Sequence, residues 1–561
     1  MKLNDELRRI ERLPRRVWSQ PEIDEAVETL TEMLRTPNGT QRLREIQAIA
    51  LHEIATLGGM AGPIPVGKGK TLLSFLAPIV ADAKRPLLVI PAKLVDKTKR
   101  AMKEAVQHWQ IQELPIMTYE WLGRVQAASA LEDMQPDMVV CDESHRLKNK
   151  RAAVTRRFVR YFKQNPTTKF VPMSGTFTKR SLLDYAHLLL WSLGEDNTPL
   201  PNNYSDLELW SDALDERKGQ MRRADPGGLR VLCNQEEYDA WESDPREYAR
   251  RAFRRRLIET PGVVTTQDVS VAASINISIV EPVECADVND AFKTLRTKWE
   301  TPDGHPFADA IALFRHAREL ALGFYYVWDP RPPRDWLDAR RTWCAYARNI
   351  LSNSRTIDSE AQVKDLVEAR GGAPELTRWL AIKDTFEPHT VPVWLDHSSL
   401  EIARRWLEDE EGLVWTEHVH FAQKLSELSG IPYFGRLGRD AKGRPIELYD
   451  PGGPAILSMR SNNEGRNLQA WSKNMIISPP ANGQEWEQII GRTHRDGQEA
   501  DEVSFDVACF CFEHIEAFWQ AMRDAAYVHT CTGAPQKLLL ADHNFPTEAS
   551  LMFHRCRRWA K

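Results

Sequence analysis

Short apolar runs separated by amphipathic, helix-length stretches organise the first third of the chain. Leu87-Leu88-Val89-Ile90, Pro115-Ile116-Met117-Thr118, Met138-Val139-Val140-Cys141 and Phe170-Val171-Pro172-Met173 read as strands. Their alternation with amphipathic segments from about 40 to 197 predicts a parallel sheet with crossover helices. The pattern changes at Asn197-Thr198-Pro199-Leu200-Pro201, and residues from 200 to 387 read mainly as helix, with Thr265 to Val280 the extended stretch. Strand–helix alternation resumes at about 388, through Gly412-Leu413-Val414-Trp415, Ala455-Ile456-Leu457-Ser458, Asn474-Met475-Ile476-Ile477 and Val503-Ser504-Phe505-Asp506-Val507. The expected fold class is α/β. Its expected divisions are a charged helical segment 1–38, an α/β domain 39–199, a mainly helical insertion 200–387, an α/β domain 388–545 and a tail 546–561.

Composition narrows the class. A length of 561 residues allows about three to four domains. Apolar content of 42% and charged content of 27% fit a globular protein, and no run of about 18 uncharged apolar residues offers a membrane span. Met1-Lys2-Leu3-Asn4-Asp5 opens a charged segment, so the expectation is a cytoplasmic protein that is not secreted. Eight scattered cysteines make no disulfide framework, and Cys509-x-Cys511 lacks zinc-ligand spacing and suits buried strand positions. A net charge of −5 argues against nonspecific coating of nucleic acid, so any such binding rests on local patches. Two basic runs qualify, Arg146 to Lys163 and Arg246 to Arg256; solvated helix faces are the alternative for both. Tryptophans of the insertion suit core packing first and base stacking second.

Three patterns carry chemistry. Gly67-Lys68-Gly69-Lys70-Thr71 runs into an apolar helix start, where glycines let backbone amides wrap a phosphate at a helix N-terminus. Lys70 would neutralise the β and γ phosphates and the Thr71 hydroxyl would ligate Mg²⁺. The longer phosphate-loop form fails because Ile64 stands where its first glycine would be. About seventy residues on, Asp142-Glu143-Ser144-His145 follows an apolar strand. Asp142 would hold the metal, and Glu143 would orient and deprotonate the attacking water. Near the C-terminal end, Gln488-Ile489-Ile490-Gly491-Arg492-Thr493-His494-Arg495 sets two arginines three apart on one expected helix turn. Arginine's planar fork matches phosphate oxygens bidentately.

In this order the patterns resemble the Swi/Snf-like branch of superfamily-two helicases. The resemblance covers roughly 42–195 and 388–510, and includes Arg146-Leu147-Lys148-Asn149 after the acidic box. It implies two RecA-like units with ATP between them and nucleic acid across their top. Gln47 would then read the adenine edge, Gln488 would help fix its turn, and Arg492 and Arg495 would reach the γ-phosphate. His145, Ser174, Gly175 and Thr176 would couple hydrolysis to movement, with Phe177 departing from the proline usual there. Gly465 and Asn467, in Glu464-Gly465-Arg466-Asn467-Leu468, would link ATP to the track. Pro91 and Lys93, Thr118 and Tyr119, and the triplet Arg254-Arg255-Arg256 would hold DNA.

The activity so implied is an ATP-dependent DNA helicase or translocase on duplex or branched DNA, of compact phage or bacterial type, serving repair or replication, with ATP and Mg²⁺ required. RNA remains a second track, because nothing in the sequence reports on the 2′-hydroxyl. Two further readings stand beside it: the motor subunit of a nuclease or restriction assembly, and a nucleotide-gated binding switch that does not move. Intact Lys70, Glu143, Arg492 and Arg495 favour turnover.

Overall fold

The first four apolar runs have no polar alternation because both faces of their sheet are covered. In the computed structural model they form β1 (Pro86–Ile90), β2 (Ile116–Thr118), β3 (Met138–Asp142) and β4 (Lys169–Met173). The structure describes residues 4–65, 67–150, 152–175, 181–215, 224–266, 271–353, 360–387, 389–463 and 465–544. All four strands are parallel, in the order β2-β1-β3-β4. Side chains alternate between two cores: Leu87, Val89, Val139 and Phe170 face one, and Leu88, Ile90, Val140 and Val171 the other. Beside β4 runs the chain that leads to the glycine-rich loop. Gly62 N–H donates to Pro172 O (2.9 Å), and Ser174 N–H donates to Gly62 O (3.0 Å).

Contacts divide the chain into two units. The first comprises 1–272, 482–491 and 522–540; the second comprises 273–481, 492–521 and 541–561. The N-terminal segment is part of the first core: Leu7, Ile10 and Leu13 enter one side, and Val27, Leu30 and Leu34 the other. The expected insertion is divided at Ala273, and two stretches of the expected second α/β domain pack with the first unit.

The second unit holds β5 (Ser274–Val280), β6 (Phe324–Trp328), β7 (Thr390–Trp394), β8 (Leu413–Thr416), β9 (Tyr433–Phe434), β10 (Ala455–Ser458), β11 (Lys473–Ile477), β12 (Glu502–Ala508) and β13 (Asp542–Asn544). Seven of these make a parallel sheet, ordered β13-β5-β12-β11-β8-β10-β9, while β6 and β7 pair antiparallel. The extended stretch expected near Thr265–Val280 is thus β5, a full member of the second sheet. Tryptophans of the insertion pack: Trp336 lies edge-on to Trp328 and Trp379, with centroids 5.1 and 5.0 Å away. The seven described cysteines are free, and Cys509 and Cys511 are buried just past β12. Among the described residues no helix is long and apolar enough to cross a membrane.

Candidate nucleotide site

The chain makes a tight loop after Pro65. Gly67 (φ 90°) and Gly69 (φ 79°) adopt left-handed conformations, and a Cβ on Gly69 would meet Gln47 Nε2 at 2.2 Å. Helix Lys70–Val80 starts there with Gly69 as its N-cap and no capping side chain, so the positive end of its dipole faces the loop. Lys70 is buried, and its ammonium donates to Ile64 O (2.9 Å) and Pro65 O (3.1 Å). The loop therefore curls around its own lysine. Lys68 is buried as well, and Thr71 is half-buried on the first helical turn.

Two side chains brace this loop, Gln47 from helix Glu45–Leu57 and Arg44 from the position that caps it. Gln47 Nε2 donates to Gly69 O (3.3 Å) while its Oε1 accepts from Arg44 N–H (2.9 Å), and Arg44 donates to Gly67 O (3.1 Å). Sequence reasoning assigned Gln47 to adenine and overlooked Arg44. In the structure the Gln47 amide spends one end on its own helix start and the other on the loop.

The acidic pair sits where β3 ends. Glu143 is a non-glycine residue in the left-handed region (φ 57°, ψ 45°), a conformation that costs roughly 1–3 kcal/mol. Its N–H donates to Asp142 Oδ1 (3.0 Å), and Tyr119 O–H donates to Asp142 O (2.8 Å). His145 Nδ1 lies 3.2 Å from Glu143 Oε2 and 3.0 Å from Ser174 Oγ. Ser174 is fully buried, directly after β4, with its N–H on Gly62 O. Glu143, His145, Ser174 and the approach to the glycine-rich loop are therefore linked through successive contacts at the C-terminal ends of β3 and β4. That edge of a parallel sheet is where ligands of open α/β folds bind. His187 supports the turn from below: its Nε2 is 2.9 Å from Leu147 O, and burial pulls its pKa down to about 4.

Glu120 ties the neighbouring strand ends together. Its Oε2 accepts from Ala92 N–H (2.9 Å) and its Oε1 from Arg146 (3.0 Å). Of the residues expected to grip DNA here, Lys93 is exposed and Thr118 half-buried, and the Thr118 hydroxyl caps Trp121 N–H (3.1 Å). Pro91 and Tyr119 are buried. Tyr119 turns its ring into the core because its hydroxyl finds the Asp142 carbonyl, so it is a support of the acidic box and not a surface contact. Gly175 is buried, and Thr176 lies outside the described residues.

In the second unit the late motifs converge on one carbonyl. Arg492, 5% exposed, donates to Arg466 O (3.2 Å), and Arg495 donates to Arg466 O (3.1 Å) and Asn467 Oδ1 (2.7 Å). Leu468 N–H returns a bond to Arg492 O (3.1 Å), and Gly465 supplies a positive φ of 78°. The two arginines do not share a helix turn: helix Gly483–Thr493 ends before Arg495, which lies in the following turn. Gln498 pins that turn through Trp471 O (3.0 Å) and Thr493 O (3.1 Å). Burial lowers the pKa of Arg495. Gln488 is buried on the same helix as Arg492 but belongs to the first unit.

Within the triplet Arg254-Arg255-Arg256 the fold buries one arginine and leaves the other two half-buried. Arg256 is 0% exposed and donates to Leu13 O (3.0 Å), Pro14 O (2.6 Å) and Thr260 Oγ1 (3.2 Å), clasping the N-terminal segment. Arg255 is spent on Leu232 O and Glu237 Oε2, both at 2.7 Å. Arg254 remains half-buried. Part of the earlier basic run is engaged too: Arg157 is buried on Leu122 O, and Arg160 pairs with Glu132 (2.6 Å).

Among the described residues no cluster of three or more His, Cys, Asp or Glu side chains suits a metal. A magnesium ion held through one hydroxyl, one carboxylate and ligand phosphates needs no such cluster, and Thr71 and Asp142 are of the right donor type. No protein-family model matches the chain, and no curated protein matches it.

Proposed function

We propose that the protein is an ATP hydrolase that couples hydrolysis to movement on duplex or branched DNA, a compact relative of the Swi/Snf-like superfamily-two motors with two RecA-like units. The observation that carries this reading is the chain of contacts Glu143–His145–Ser174 beside Gly62, on the same sheet edge as a glycine loop wrapped around Lys70. A strained acidic residue, a buried lysine and an uncapped helix start suit the binding and cleavage of a phosphoanhydride.

Lys70 would exchange its carbonyl partners for phosphate oxygens, which offer it full negative charge. Glu143 would orient and deprotonate the attacking water, with His145 fixing the carboxylate. A change at Glu143 would pass through His145 to Ser174 and the base of the loop. Magnesium bound by Thr71 and Asp142 would neutralise phosphate charge. In the second unit, Arg495 would stabilise transition-state charge, and Asn467 and Arg466 O would hold it in place.

Steady-state ATP hydrolysis with duplex, branched and single-stranded DNA and with RNA tests the reading. Glu143→Gln should retain ATP binding and lower turnover by about 10²–10⁴-fold, and Lys70→Ala should abolish DNA-stimulated turnover. Normal turnover in both variants, or turnover indifferent to every nucleic acid, would remove the motor assignment.

A further inference from the structure

We propose that the loop Gly435–Tyr449 of the second unit is a binding surface for the phosphodiester backbone of nucleic acid; the identity of the ligand rests on the function proposed above. The loop follows β9 and frames a cavity of about 650 Å³. Four cations, Arg436, Arg439, Lys442 and Arg444, line it against a single acid, Asp440. That acid is consumed within the loop. It accepts from the Lys442 and Arg444 amides (3.0 and 2.8 Å) and pairs with the Arg444 guanidinium (3.1 Å). Arg439 donates to Gly443 O (2.6 Å). Arg436 and Lys442 are exposed and have no partner among the described residues, so the loop presents uncompensated positive charge.

The loop is ordered for this role. Gly435 N–H donates to Arg439 O and Asp440 N–H to Arg444 O, both at 3.0 Å. At its apex Leu437 is held in the left-handed region (φ 58°) and is 61% exposed, an apolar side chain kept in solvent beside Arg436. An apolar tip flanked by cations fits a sugar–phosphate backbone, where charge and sugar edges alternate. Arg466 fastens the apex: its guanidinium bonds Leu437 O and pairs with Glu447 (2.6 Å). Gly438 leaves room for it, since a Cβ there would lie 2.2 Å from Arg466 Nη2. The carbonyl of Arg466 receives Arg492 and Arg495, so one residue joins the basic loop to the arginine pair. Free phosphate would call for donors converging in a closed cradle, whereas Arg436 and Lys442 stand on an open loop.

The test uses the full chain without nucleotide and a fluorescein-labelled DNA duplex titrated at several salt concentrations. Each phosphate contact adds about 0.9 to the slope of log K against log salt, so Arg436→Ala with Lys442→Ala should flatten that slope by about 1.8, and either change alone by about 0.9. Both side chains are exposed, and unchanged circular dichroism would show that the fold is kept. No duplex binding by the parent chain, or a slope the substitutions leave untouched, would overturn the proposal. Displacement of the duplex by inorganic phosphate at matched ionic strength would reassign the loop to a free anion, and displacement by polyglutamate at matched charge to an acidic protein. Because nucleotide is absent, a chain that binds duplex through this loop but hydrolyses no ATP would refute the motor reading alone.

Discussion

Two sets of arginines lie in this chain, and they have opposite fates. Arg254-Arg255-Arg256 form a run of three charges on one helix, and Arg492 and Arg495 form a sparser pair. The denser set is the one absorbed into the fold. Arg256 places its guanidinium on the carbonyls of buried Leu13 and exposed Pro14, just past a short helix, and the Leu13 carbonyl would otherwise lose a donor inside the fold. Burial pulls its pKa to about 10, still far enough above neutrality to keep the cation. The sparser pair also meets a carbonyl, that of Arg466, but Arg495 uses only one terminal nitrogen there. Its Nε and other terminal nitrogen have no partner among the described residues. Charge density along a sequence therefore says little about availability; what decides is how many of the five guanidinium donors the fold has already used.

The contrast breaks most visibly at Arg495. Arg495→Ala should slow single-turnover ATP hydrolysis by about 10³–10⁵-fold while changing ATP affinity little. Thermal stability should fall only slightly, because the lost bonds are few and the site is partly open. An unchanged rate together with a large loss of stability would place Arg495 in the same class as Arg256. The complementary substitution, Arg256→Ala, takes the donor from the buried Leu13 carbonyl and should cost about 1–3 kcal/mol. For a unit of this size that corresponds to a melting temperature lower by about 2–5 °C. Calorimetry on the full chain measures it. An unaltered melting temperature with weakened DNA binding would restore the triplet to the track.

Where the sequence was legible and where it was not follows the same physics. All four strands of the first sheet, and β8, β10 and β11 of the second, could be read because a buried parallel strand needs a short, largely apolar run, as in Leu87–Ile90 or Met475–Ile477. By contrast β9 and β13, two and three residues long, carry no such run. Local chemistry was legible in the same way: glycines before Lys70 and an acidic pair at a strand end are set by neighbours in sequence. Partners distant along the chain were not. The extended character of β5 was readable, but its pairing with β12, more than two hundred residues later, was not. Nor does the amphipathic pattern of Phe512–Thr532 say that its second half packs with the first unit, where Tyr527 O–H donates to the buried Asp215 (2.7 Å). Arg44 and Arg466 passed unnoticed because their importance lies in the backbone carbonyls they reach.

His187 extends the comparison to a third basic side chain spent on the fold. Folding lowers its pKa from 6.5 to about 4 by burial, so the native state holds it neutral. As pH falls from about 6.5 towards 4 the unfolded chain takes up a proton that the native chain refuses, and stability is lost over that window. The loss should reach roughly 2–3 kcal/mol. His187→Gln keeps a donor for Leu147 O and removes the titration, so its denaturation midpoint should vary less between pH 6.5 and 4 than that of the parent. Parallel profiles for the two would show that His187 is not what makes the turn below the acidic box acid-sensitive.

The smallest effect belongs to Arg254, the member of the dense set that the fold has not fully claimed. It is half-buried, and burial lowers its pKa, with repulsion from Arg251 adding to the shift. No side chain or carbonyl among the described residues takes its guanidinium in a hydrogen bond or ion pair, so a phosphate remains able to do so. Arg254→Ala should then flatten the salt dependence of duplex binding by about 0.9 and leave the melting temperature close to that of the parent. Arg256→Ala, whose charge is sealed away, should do the reverse, provided binding is measured well below its melting temperature. If both substitutions flatten the slope equally, the clasp on Leu13 and Pro14 opens when DNA binds, and the division between the two arginine sets holds only for the DNA-free chain. If neither does, the helix Pro245–Ile258 takes no part in holding the track, and the loop around Arg436 and Lys442 must supply the charge that it lacks.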